Sequence, residues 1–312
     1  MCRWSNFSAY GSLQPVAADD RHSCQLFGDA AVGFIQSVGA EPFFAWLAMT
    51  APHDPRQAPR KFRRRFEGHE PPPPANFLPA HPFDNGELEI RDEKLLGWPR
   101  TQPAISKELA DYYACIEALD AQIVRVIAAL QAKGRLENTI ILFTSDHGLA
   151  IGSHGLLGKQ NLYEHSMRAP AIVAGPGIPV GKRSDALCYL FDLMASVGDA
   201  AGVPPPAKNE GQSLLPVLRG ECPVIRENLL LAYRNSQRAW VGPEWKLIEY
   251  PTANKTQLFN VARDPDEIVN VADQPNEAGR VNRLKAERAL QQQQAGDPLQ
   301  VDRRRATGIG KP

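Results

Sequence analysis

Two hydrophobic periods run through the chain, one of three to four residues and one of short unbroken runs, and they divide it into helices and strands. From Ser23 onward, CQLFGDAAVGFIQSV sets Leu26, Ala30, Phe34 and Val38 at helical spacing. PFFAWLAMT, from Pro42, is apolar on both faces and predicts a central strand of a covered sheet. Residues 60–105 lose all period. They carry the basic run RKFRRRF, then PPPP and scattered turn residues, and predict a long substrate-side loop. A helix is predicted from a cap at Ser106 to about Lys133, with Leu109, Tyr113, Ile116, Leu119, Ile123, Ile127 and Leu130 as its stripe. TIILFT then reads as a buried strand. APAIVAGPG predicts another strand, and DALCYLFDLMASVGDAAG a helix closed at Gly202. Beyond residue 224 the texture changes to short strands, NLLLAYR, RAWVG, WKLIEY and TQLFNV, followed by a polar helix near 276–294. The expected organisation is an α/β domain over 1–222, a small α+β subdomain over 223–295, and a tail over 296–312 with the composition of disorder.

Composition narrows the function classes. Lys+Arg and Asp+Glu balance at 35 each, so no global field points to nucleic acid or an anionic membrane. No apolar run is long enough to span a bilayer, and MCRWSNFSAYGSLQP lacks the apolar core of a signal peptide. Five cysteines without CxxC spacing argue against a disulfide framework or a zinc site.

Chemistry concentrates at the ends of the predicted strands, where open α/β sheets bind ligands. Asp146 and His147 follow TIILFT and offer a hard oxygen donor and an imidazole, with Gly148 easing the turn. Lys159, in GLLGKQN, is a point charge on a glycine loop and suits a tetrahedral oxyanion. His53, after PFFAWLAMT, can exchange protons near neutral pH. Each has a plainer reading: a loop hydrogen-bonder, a solvated lysine, a satisfied histidine. RKFRRRF reads first as a solvated basic face and second as a grip for a polyanion.

In order, PFFAWLAMTAPHDPRQAP, YYACIEALDAQIVRVIAALQAKGRLENTIILFTSDHG and GSHGLLGKQNLYEHSMRAPAIVAGPGIP resemble the sulfatase family of the alkaline phosphatase superfamily. EGQSLLPVLRG and LFNVARDPDEIVNVAD resemble its C-terminal segments, so the likeness runs from about Ser23 to Asp273. The resemblance implies an α/β fold of alkaline-phosphatase type, with a mixed sheet flanked by helices and a small C-terminal antiparallel sheet plus helix. It implies hydrolysis of sulfate esters, a sulfated small molecule or glycan as substrate, and a divalent cation, usually calcium. Asp146 and His147 match two metal-ligand positions, His53 the histidine facing the sulfate or leaving group, and Lys159 the sulfate-binding lysine. Arg168 matches a position with a structural role. The family is commonly periplasmic, secreted or lysosomal.

The family's nucleophile is a cysteine in a Cys-x-Pro-Ser/Ala-x-Arg context, converted to formylglycine. Cys2, Cys24, Cys115, Cys188 and Cys222 all lack that context, and the upstream Gly-Lys-x-His segment is absent. Asp19-Asp20 does not follow the apolar strand that precedes the family's acidic pair. The expectation is therefore a chain that begins partway through a sulfatase domain. It would lack the nucleophile and half of the metal site, since calcium takes about six to eight oxygens. The alternative is a non-catalytic relative that binds a sulfated glycan or a partner protein. A phosphoesterase of the same superfamily would need a Ser/Thr nucleophile and two metal sites, and finds no support.

Overall fold

The computed structural model describes residues 21–299 and, before them, two short strands, β1 (Ser5–Phe7) and β2 (Leu13–Pro15), which pair antiparallel. Cys2, the Asp19-Asp20 pair and residues 300–312 of the expected tail lie outside the described residues. The chain divides into two compact units. One comprises Met1–Pro73 and Thr101–Thr139, the other Pro74–Arg100 and Ile140–Pro312.

Besides β1 and β2, the first unit holds the helices α1 (Ser23–Ser37), α2 (Arg60–Arg63) and α3 (Gln102–Ala132). The long helix starts four residues before Ser106, because Thr101 accepts from the Ala104 N–H and Pro103 sits in the first turn. Its interior face only partly follows the predicted stripe: Leu130 is buried, and Leu109, Leu119, Ile123 and Ile127 are half-buried. Ala110, Ala114, Cys115 and Ala118 are buried, Ala114, Cys115 and Ala118 against Ala58 and Phe62, while Tyr113 and Ile116 are exposed. Likewise α1 buries Cys24, Gly28 and Ile35 and exposes Phe34. The reason is close approach: a Cβ on Gly28 would lie 2.5 Å from Gln122 Oε1 of α3. Small residues mark this contact, and apolar bulk does not.

PFFAWLAMT forms no strand among the described residues, and Phe44, Trp46 (81% exposed) and Leu47 face outward. A strand needs a backbone partner, and apolar composition alone does not supply one.

In the second unit, TIILFT becomes β3 (Ile141–Thr144), paired antiparallel with β4 (Ala171–Ala174) and with no other described strand. Both remain partly open to solvent, so the expected burial on two faces is not found. A short helix, α4 (Glu164–Met167), lies between these strands in the chain, and α5 (Asp192–Ala200) and α6 (Leu215–Arg219) come after them. The four predicted C-terminal strands are all present as an antiparallel meander: β5 (Leu229–Tyr233), β6 (Gln237–Val241), β7 (Lys246–Tyr250) and β8 (Lys255–Phe259). The last helix is α7 (Ala278–Gln294). Successive side chains leave a strand on opposite faces. Trp240, Leu247 and Leu258 accordingly pack on Val281 and Leu284 of α7, while Ala239, Ile248, Tyr250 and Phe259 pack on Ala150, Leu156, Leu162 and Tyr163. That second face is the platform on which the loop carrying Lys159 rests.

Candidate active site

The loop after β3 begins with the Asp-His pair. The Asp146 side chain is 78% exposed; its Oδ1 accepts from the His147 N–H at 3.1 Å, and its Oδ2 lies 3.4 Å from His147 Nε2. His147 Nδ1 stands 2.8 Å from the Gly148 carbonyl, and Ser145 Oγ donates to the His147 carbonyl at 2.6 Å. Gly148 then passes so close to α4 that a Cβ would lie 1.9 Å from the His165 carbonyl oxygen.

The chain next folds back on itself, with Ala150 N–H donating to the Gly158 carbonyl and Gly152 N–H to that of Leu156. This places Lys159 on a turn whose backbone is tied to the irregular stretch before α3. Glu93 accepts from the Leu157 N–H at 3.0 Å and the Gly158 N–H at 2.8 Å, and is ion-paired with Arg100. Arg100 Nε donates to the Gly155 carbonyl at 2.9 Å. Burial pushes the Glu93 carboxyl up and the Arg100 guanidinium down, each partly offset by the other's charge. Lys159 Nζ lies 3.7 Å from Asp92 Oδ2, which also accepts from Gln160 Nε2 at 2.8 Å.

Below the turn lies a buried aromatic and histidine cluster. His154 stacks on Tyr163 at 4.0 Å, His81 Nε2 meets the Tyr163 hydroxyl at 3.1 Å, and that hydroxyl donates to Gln257 of β8 at 2.8 Å. Neither ring nitrogen of His165 has a hydrogen-bond partner. Desolvation lowers all three histidines, His154 to about 4 and His165 well below the ordinary value, and pushes Tyr163 up to about 12. Lys246 of β7 is fully buried between Glu164 at 2.9 Å and Glu267 at 3.0 Å.

His53 belongs to the other unit. Its Nδ1 is 2.9 Å from the Asp54 carbonyl and 3.3 Å from Asp54 Oδ1, between cis peptide bonds at Pro52 and Pro55. The structure thus pairs Asp146 with His147, and Lys159 with Asp92. Sequence reasoning missed Asp92, Glu93, Arg100 and Gln160. The only signal for the first three was an acidic pair and an arginine in RDEKLLGWPR, indistinguishable there from solvated charge.

Among the described residues no group of three or more His, Cys, Asp or Glu side chains stands ready for a metal. One carboxylate and one imidazole do not fit an ion that takes about six to eight oxygens, so these residues do not by themselves hold calcium. Three of the described cysteines are not activated: burial pushes Cys24 and Cys188 up and Cys115 to about 11, away from the reactive thiolate.

A family model described as Sulfatase matches residues 3–203, and one described as N-sulphoglucosamine sulphohydrolase, C-terminal, matches residues 152–295. A sulfatase of Formosa agariphila is 26% identical over 257 residues, covering 79% of this chain and 49% of that protein. A choline-sulfatase of Rhizobium meliloti is 31% identical over 246 residues, covering 75% and 47%. The chain therefore spans about half the length of these curated relatives. A protein solved in complex with its substrate D-glucosamine-2-N,6-O-disulfate superposes with a TM-score of 0.78 at 22% identity, covering 90% of this chain and 72% of that one.

Proposed function

This chain belongs to the sulfatase family, with the alkaline-phosphatase-like α/β fold and a small C-terminal antiparallel sheet, and from that premise we propose that it serves sulfate-ester hydrolysis by binding the sulfate oxyanion. Lys159 is the proposed sulfate-binding group. It is a compact cation on a turn whose backbone is fixed from below, and that turn is the observation that carries the reading. His53 is proposed for the leaving-group side, as an imidazole able to give or take a proton. Asp146 and His147 are proposed for two positions around a divalent cation, and no step of the reaction is assigned to that ion. The sulfated amino sugar bound by the solved relative makes sulfated saccharides the first substrate class to test.

A second reading, sulfated-glycan binding without turnover, draws on a specific observation: none of the five cysteines has the context for conversion to formylglycine. Calorimetric titration with D-glucosamine-2-N,6-O-disulfate, beside an aryl sulfate assay after co-expression with a formylglycine-generating enzyme, separates the two. We expect binding that Lys159→Ala removes and no turnover by this chain alone, an outcome that supports the sulfate-binding role of Lys159 and favours the second reading for the chain as given. Turnover lost in Lys159→Ala or His53→Ala would reveal another nucleophile and refute the second reading. Absence of both binding and turnover would overturn both.

A further inference from the structure

Lys159 can meet an anion in one place only if its turn keeps one shape. The groups holding that shape come from the periodless stretch before α3. We propose that Asp92, Glu93 and Arg100 form a positioning unit that aims Lys159; this rests on the reading of Lys159 as the sulfate-binding group. Glu93 and Arg100 grip the turn from both ends. The guanidinium takes the Gly155 carbonyl, and the carboxylate takes the Leu157 and Gly158 N–H groups, with side chains 0% and 4% exposed for Arg100 and Glu93. Arg100 is itself fixed by donation to the Leu96 carbonyl at 2.8 Å.

Asp92 holds the next two residues of the turn. Its Oδ2 accepts from Gln160 Nε2 and faces the Lys159 ammonium, while Gln160 Oε1 accepts from the Lys159 N–H at 3.0 Å. Consecutive acidic residues thus hold consecutive parts of the turn, Glu93 the backbone before the lysine and Asp92 the side chains at and after it. The approach is close: a Cβ on Gly158 would lie 2.9 Å from Asp92 Cβ and 3.1 Å from Glu93 Oε1. A buried ion pair is a poor source of stability next to apolar side chains of equal volume. What this one supplies is direction, because its hydrogen bonds fix the orientation of the peptide groups leading into Lys159.

The test is inorganic sulfate titrated into the intact chain, followed at the Gly158 and Lys159 amides by NMR, in wild type, Lys159→Ala, Asp92→Asn and Glu93→Gln. Lys159→Ala abolishes the response if the underlying reading holds. Glu93→Gln weakens sulfate affinity by about tenfold, the scale of a misaimed group, while the amides of β6 and β7 keep their shifts. Asp92→Asn decides the matter if Glu93→Gln fails to fold. Removing a negative charge beside the site strengthens anion binding if Asp92 is merely a neighbouring charge, and weakens it if Asp92 aims the lysine. Weaker binding in Asp92→Asn is the expected result. Equal or tighter binding there, with Lys159→Ala still inactive, overturns the positioning unit and leaves the sulfate reading standing. A wild-type response unchanged in Lys159→Ala, or no response at all, overturns both.

Discussion

Three glycines control how near the Lys159 loop comes to its supports, and they illustrate different constraints. Gly148 and Gly158 are required by space alone, whereas Gly155 is held at φ +73° with its absent Cβ 2.2 Å from the Ala80 carbonyl carbon. Gly155→Ala combines a left-handed backbone cost with a collision against main chain that has no rotamer to escape into. It is expected to cost at least about 3 kcal/mol, seen as a lowered urea midpoint with an unchanged slope; a loss below about 1 kcal/mol would refute the close approach. At this scale the placement of Asp146 and His147 after a strand, and of Lys159 on a glycine turn, was legible in the sequence, because a strand end and a glycine turn are local signals; their roles are proposals. Glu93 and Arg100 were not. Their meaning depends on backbone groups more than fifty residues away, and no period marks a carboxylate that serves a distant turn.

Among the elements, the C-terminal strands were legible because alternation states both the element and its two faces: Trp240 and Leu247 toward α7, Ala239 and Ile248 toward the loop. The faces of α1 and α3 were only partly legible, because bulk is a poor sign of burial where two helices meet closely. Small residues instead fill the buried face of α3, where Ala114, Cys115 and Ala118 pack on Ala58 and Phe62, so substitutions there should behave in reverse of hydrophobic expectation. Ala114→Leu, at a position with no exposed surface, should cost about 1–3 kcal/mol by overpacking. Ile116→Ala, on the exposed face, should stay within about 0.5 kcal/mol. Thermal unfolding of the two variants checks the order; the opposite ranking would restore the predicted stripe. PFFAWLAMT misleads for a different reason. Its composition suits a strand, but pairing is a property of a neighbour, and none of the described strands is one.

For the molecule as a whole, the histidines under the loop link folding to pH. His154 is held near 4 and His81 and His165 below their ordinary value, so in the folded state they stay neutral where the unfolded chain's histidines are already charged. The unfolded state therefore binds more protons between about pH 6.5 and 4. Stability is full above that window and is lost as pH falls through it, by roughly 2–3 kcal/mol from His154 alone. Glu267, pushed up by burial beside Lys246, works in the opposite direction. Urea unfolding at about pH 7 and about pH 4.5 should show the loss, and His154→Gln should reduce it; a flat profile would mean that the cluster is hydrated or already charged.

The path of the chain between its two units has a consequence in time. Residues 74–100 belong with a partner made later, and Arg100 is synthesised 55 residues before the Gly155 carbonyl that it holds. At about 5–20 residues per second that gap lasts roughly three to eleven seconds. Until Gly155 and its neighbours arrive, the guanidinium destined for complete burial must stay in water, and its stretch cannot settle. A segment made early is among the last to find its place, so the order of synthesis and the order of completion run opposite ways.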